Sequence, residues 1–126
     1  MNTAKTLLLR VVLLLGLALP ALWSTPAQAG PGAFDLSSPT NGAWCTATCT
    51  NRWSTASSAA SYQLYVDGAL KKAAIATSSY TLLASEALSD GWHTWYVVAL
   101  DGTGATTQST STWSAQFDGT PPASFT

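Results

Sequence analysis

Asp90-Gly91-Trp92-His93-Thr94-Trp95-Tyr96-Val97-Val98-Ala99-Leu100-Asp101-Gly102 is the stretch that decides the fold. Two Asp-Gly pairs bracket it, and Asp-Gly is turn chemistry. Between them runs a series of aromatic and β-branched residues, the types that fit a pleated sheet. A period of two divides the run into His93, Trp95, Val97, Ala99 and Thr94, Tyr96, Val98, Leu100. Both sets are apolar enough to be covered, so the pattern predicts a long central strand over 93–100. A shorter copy of the same grammar lies upstream. Tyr62, Leu64 and Val66 alternate with Gln63 and Tyr65, and Asp67-Gly68 closes the run as a hairpin turn.

The remaining segments are short and punctuated by turns. Ala33-Phe34-Asp35-Leu36 alternates and predicts a first strand, followed by turn residues over Ser38-Pro39-Thr40-Asn41-Gly42. Arg52-Trp53-Ser54 predicts a second strand, 61–66 a third and 70–76 a fourth. Lys71 and Lys72 place the fourth at a sheet edge, where lysines discourage pairing with other chains. Tyr80-Thr81-Leu82 predicts a fifth strand, 93–100 is the sixth, and Thr112 to Phe117 the last. No helical period is sustained, and Ser85-Glu86-Ala87-Leu88 has room for one helical turn. The expected fold is all-β: an antiparallel sandwich of about seven strands.

The first residues read differently. Lys5 and Arg10 precede the apolar run Val11 to Leu19, Pro20 breaks it, and Ala27-Gln28-Ala29 is an A-x-A cleavage site. That is the three-part pattern of a secretory signal peptide over 1–29. As a membrane anchor the run is short of the ~20 residues that a span needs. No cysteine follows the cleavage site to carry a lipid. Cleavage leaves residues 30–126, near the ~100 residues of an immunoglobulin-type sandwich. The expected domain covers 30–119. Over 120–126, Thr120-Pro121-Pro122-Ala123-Ser124-Phe125-Thr126 resembles Gly30-Pro31-Gly32-Ala33-Phe34-Asp35-Leu36 and predicts a linker or the opening of another copy in a tandem array.

Beyond the leader the charges are Arg52, Lys71 and Lys72 against Asp35, Asp67, Glu86, Asp90, Asp101 and Asp118. Nucleic acid and anionic membrane both require clustered Lys and Arg. Neither is expected as a partner, and no membrane span is expected after cleavage.

These residues resemble the immunoglobulin-like and fibronectin type III-like modules of bacterial secreted and surface proteins. Trp53 stands where such modules place a core tryptophan. Tyr62-x-Leu64-x-Val66-Asp67-Gly68 is similar to one of their strands and its turn. The run Leu88-Ser89-Asp90-Gly91-x-His93-x-Trp95-x-Val97-x-Ala99-x-Asp101 is similar to their longest strand. At the position of His93 fibronectin type III domains usually carry a tyrosine that anchors a corner. The resemblance covers Ala33 to Asp118. It implies a secreted or cell-surface module without catalytic residues or cofactors. Such a module acts as a spacer, an adhesion element or an accessory domain, with a protein or a cell-surface polysaccharide as its partner.

Few residues offer chemistry. Cys45 and Cys49 are the only cysteines. In an exported chain a disulfide is the simplest reading, with free thiols or a metal as alternatives. Closing so short a loop stabilises by about 2 kcal/mol on the chain-entropy account. His93 is the sole histidine and alone builds neither a triad nor a zinc site. No catalytic or metal residues are therefore expected. Asp67, Asp90 and Asp101 each precede glycine, and structural turns are favoured over a calcium loop. Trp53, Trp95 and Trp113 fall on inward positions. Trp44, Tyr65 and Trp92 are the candidate surface aromatics, since exposed rings stack on sugars or anchor protein partners. The alternative function is accordingly a carbohydrate-binding module that uses them.

Overall fold

In the computed structural model, residues 29–120 are described. The expected signal peptide, apart from Ala29, and the Pro-rich segment beyond Thr120 lie outside the described residues. Nine strands follow one another: β1 (Leu36–Ser38), β2 (Ala43–Thr46), β3 (Thr50–Trp53), β4 (Ser61–Val66), β5 (Ala69–Ile75), β6 (Ser79–Thr81), β7 (Gly91–Leu100), β8 (Thr106–Gln108) and β9 (Trp113–Asp118). They form two sheets. The smaller is β1-β3-β6, and the larger runs β2-β9-β7-β4-β5 with β8 also on β7.

The long aromatic run is central, as its two apolar faces require. β7 pairs with β4 on one side, and with β9 and β8 on the other. The Asp67–Gly68 turn has φ of 52° and 79°. Two consecutive positive φ values are the type I′ geometry that suits the twist of a two-residue hairpin. It joins β4 to β5, and β5 with its lysines is an edge of the larger sheet. One 3₁₀ turn (Ala84–Glu86) lies where a single helical turn was expected.

The core sits between the sheets. Phe34, Leu36 and Trp53 meet Leu64, Trp95, Val97 and Phe117, all buried. Each fully buried large side chain of this kind stabilises by about 1.5–3 kcal/mol. Tyr62 places its ring in this core, tilted against Trp53 with centroids 5.5 Å apart. Its hydroxyl accepts the buried N–H of Ala56 at 3.0 Å. Trp113 is only partly buried and packs edge-on to Trp95, with centroids 6.2 Å apart.

Two strands go beyond the expected seven, and one of them departs from the antiparallel pattern. β2 lies parallel to β9, pairing Ala43 with Ala115 and Cys45 with Phe117. Residues 41–42 hold it there. Asn41 Oδ1 accepts the Ser114 N–H at 2.9 Å, and the Gly42 N–H donates to the Ser114 carbonyl at 2.7 Å. β8 follows the Asp101–Ala105 turn, in which Asp101 Oδ1 accepts the N–H groups of Thr103 and Ala105 and the Thr103 hydroxyl. The first strand begins at Leu36 instead of Ala33, although the alternation holds: Phe34 and Leu36 are buried and Asp35 is exposed.

Candidate functional site

The candidate site is the outer face of the larger sheet. Because β7 alternates, the residues between its buried Trp95, Val97 and Ala99 point outward. Trp92, Thr94 and Tyr96 are therefore on one face. On β9 the buried Ala115 and Phe117 put Gln116 and Ser114 on that same face. Register completes the arrangement. Trp44 is opposite Gln116, and Gln116 is opposite Trp92. Directly paired residues project to the same side of a sheet. Trp44, Gln116 and Trp92 thus make one row across three strands. With ~4.8 Å between strands, the two tryptophan backbones stand roughly 9–10 Å apart. Trp44 is 67 % exposed and Trp92 59 %. In an otherwise well-filled sandwich, two large rings left in water on one face are the exception that needs a reason.

Tyr65 belongs to the same face but to another row. It is opposite Tyr96 on β7 and Leu70 on β5. Its ring stacks on Tyr96 with centroids 4.9 Å apart and planes within 6°. Its hydroxyl donates to Gln63 Oε1 at 3.2 Å. Tyr65 is half-buried by this stacking and separated from Trp92 by four residues of β7, about 13 Å. The structure brings Trp44 and Trp92 together and sets Tyr65 apart from them. Gln116 is the member of the row that the sequence did not single out.

Cys45 and Cys49 stand at disulfide distance, with Cα atoms 5.7 Å apart. The loop between them turns through a Cys49 N–H to Thr46 carbonyl bond of 3.2 Å, and the Ala47 carbonyl accepts the Leu88 N–H at 3.2 Å. This closes the end of β2, the strand that carries Trp44.

His93 points inward, its ring edge-on to Phe117. Nδ1 is 2.6 Å from Asp67 Oδ2, and Nε2 is 2.8 Å from the Ser89 carbonyl. Both partners accept, so this geometry favours the doubly protonated ring, the imidazolium. Ser89 Oγ lies 3.4 Å from Nε2, which gives an Asp-His-Ser sequence of contacts. A ring that spends its Nε2 proton on a backbone carbonyl is not the base that a nucleophilic serine needs. The set is a corner pin that joins the β4–β5 turn to β7. Asp67 Oδ1 extends it by accepting the Thr94 N–H at 3.0 Å.

Partial burial pulls the His93 pKa down, but the bonds to Asp67 and the Ser89 carbonyl outweigh it and hold the imidazole above its ordinary value. For Asp67 desolvation acts upward and is likewise outweighed by His93 and the Thr94 N–H, which hold the carboxyl below its usual range. The raised imidazole stabilises fully below its unfolded pKa of about 6.5, and this is lost as pH rises through the folded value. The lowered carboxyl stabilises above about 3.9, and this is lost as pH falls. Thermal stability is therefore expected to be highest between about pH 4 and 6.5, then to decline as pH rises through the folded value of His93. Asp67→Asn should flatten that alkaline decline in thermal scans. Equal slopes for wild type and variant would exclude the pin as its origin.

On β6, an edge of the smaller sheet, the Tyr80 hydroxyl donates to Glu86 Oε2 at 2.7 Å, and the Leu83 N–H donates to the same oxygen at 3.0 Å. Desolvation and the neighbouring Glu86 carboxylate push Tyr80 up to about 12. This cluster ties the 3₁₀ turn to β6. Among the described residues no group of three or more His, Cys, Asp or Glu is placed to hold a metal ion. Asp90 and Asp101 lie at opposite ends of β7, a separation that rules out the shared calcium loop already disfavoured by their spacing. No described helix is long and apolar enough to cross a membrane.

No family profile matches the sequence, and no curated protein does. Solved structures do match. One is a set of fibronectin(III)-like modules of Clostridium thermocellum CbhA, 17 % identical with a TM-score of 0.49, over 67 % of this chain and 92 % of that one. A second is an Fn3-like protein from Clostridium thermocellum, 20 % identical with a TM-score of 0.49, over 73 % and 95 %. A third is the Clostridium perfringens spore cortex lytic enzyme SleM, 13 % identical with a TM-score of 0.54. It is matched over 74 % of this chain but 30 % of its own length. The described residues form an all-β sandwich of two sheets, a fold shared with the matched part of SleM.

Proposed function

We propose that this chain is a non-catalytic module of an exported protein and that the outer face of its larger sheet binds polysaccharide. The observation that carries this reading is the row Trp44–Gln116–Trp92, with both indoles exposed on one face. Indoles offer broad apolar faces and a polar N–H edge, which suits a pyranose ring with its axial C–H face and equatorial hydroxyls. A purely spacing role gives no reason to leave two tryptophans in water. The close pairing of Cys45 and Cys49 agrees with an oxidising compartment, and the A-x-A leader agrees with export. In a tandem array each copy would present one such face.

The test is depletion of the exported chain from solution by insoluble polysaccharides: cellulose, chitin, mannan, curdlan, starch and peptidoglycan. At least one should retain the wild type. Trp44→Ala and Trp92→Ala should each weaken retention about tenfold, the equivalent of ~1.4 kcal/mol. Both side chains are exposed, so both variants should keep the wild-type thermal midpoint. Retention by none of the polymers, or equal retention of wild type and variants, would overturn the reading.

A further inference from the structure

We infer that the polymer on this face is an uncharged, extended β-1,4-linked chain lying across the strands over Trp44, Gln116 and Trp92. This rests on the polysaccharide reading above and narrows it to a class of chain.

The two indoles are separated by two inter-strand steps, roughly 9–10 Å. That is the length of about two pyranose rings in an extended chain, one cycle of a polymer that turns the same ring face outward at every second sugar. Each indole would then meet equivalent faces of alternate sugars. Gln116 lies between them in the row. Its amide both donates and accepts, so it can satisfy the hydroxyls of the intervening sugar. Thr94 and Ser114 form the adjacent cross-strand pair and add further hydroxyl groups beside the row. A coiled chain, such as an α-1,4 or β-1,3 glucan, curves away between the two indoles and would keep only one of them in contact.

No lysine or arginine occurs on β2, β7 or β9. Asp118 ends β9 opposite Thr46, and exposed Asp90 stands at the start of β7, accepting the Gly119 N–H and the Thr120 hydroxyl. The rim of the row is thus acidic, and an anionic polymer would be repelled with nothing to offset it. Stacking and amide contacts without ion pairs also make binding insensitive to salt.

The experiment compares depletion isotherms on three groups of polymer. Cellulose, chitin and β-mannan are extended and uncharged, starch and curdlan are coiled, and polygalacturonate is anionic. A member of the first group should bind at least about tenfold more tightly than any other polymer, with little change between low and high salt. Gln116→Leu should weaken that binding several-fold while leaving the thermal midpoint in place. Preferential binding to starch, curdlan or polygalacturonate would overturn this inference and leave the polysaccharide reading standing. Unchanged binding by Gln116→Leu would overturn the path across the row. Retention by no polymer would overturn both. Sedimentation that finds a dimer dissolved by Trp44→Ala, without polysaccharide binding, would assign the face to a second copy of this chain and also overturn both.

Discussion

Trp95→Ala is expected to remove most of the stability of this protein. Trp95 is fully buried on the central strand, in register with Val66 of β4 and Trp113 of β9. It therefore fills space that belongs to three strands at once. Truncating a buried tryptophan costs about 3–5 kcal/mol, the sum of lost transfer energy and a cavity that its neighbours fill only in part. Whole domains are stable by about 5–15 kcal/mol, and a domain of this size buries proportionally less surface than larger ones. The urea midpoint should fall steeply, or the cooperative transition should vanish. Trp95→Phe should lose less than half as much. A Trp95→Ala loss below about 1 kcal/mol would mean that the two sheets do not close on this residue, well short of the cost of an unfilled cavity.

The second large effect has the opposite sign. Asn51 points from β3 into the core and is among the largest fully buried side chains. Neither its Oδ1 nor its Nδ2 has a hydrogen-bond partner among the described residues. A buried amide without a partner costs about 1–3 kcal/mol. Leucine has the same branching and number of side-chain heavy atoms as asparagine and carries no polar atoms. Asn51→Leu is therefore expected to stabilise by about 1–3 kcal/mol, which raises the thermal midpoint by roughly 4 °C or more for a domain of this size. Asn51→Asp should do the reverse, because a buried carboxylate has no counter-charge there. A leucine variant less stable than wild type would show that the amide is hydrogen-bonded in solution.

The contrast between these positions reflects what a sequence encodes locally. β7, β4 and the type I′ hairpin were legible because period-two alternation and Asp-Gly chemistry sit within a few residues of each other. β2 was not. It is four residues of AWCT whose inward face is only the small Ala43 and Cys45, and its partner β9 lies some seventy residues away in a parallel pairing that leaves no local trace. β8 is three residues long and exists because Asp101 folds the turn before it.

The candidate site divides along the same line. Trp44 and Trp92 could be picked out singly, as aromatics at places where the alternation did not bury them. That they share a row depends on the β2–β9–β7 register, and so does the part played by Gln116. Alternation alone puts Tyr65 on an outward position of β4. Its stacking on Tyr96 follows from β4–β7 pairing and takes it out of the row. His93 could be read as a corner residue, while its partner Asp67, 26 positions earlier, carried only a turn signal.

The chemistry of this sandwich lies on one face of its larger sheet. The most direct measurement is a two-dimensional NMR titration of the indole N–H signals with a soluble β-1,4-linked oligosaccharide. The signals of Trp44 and Trp92 should move together and saturate together, with those of buried Trp53 and Trp95 fixed. No movement at Trp44 and Trp92 with any such oligosaccharide, or movement centred on the buried pair, would contradict it.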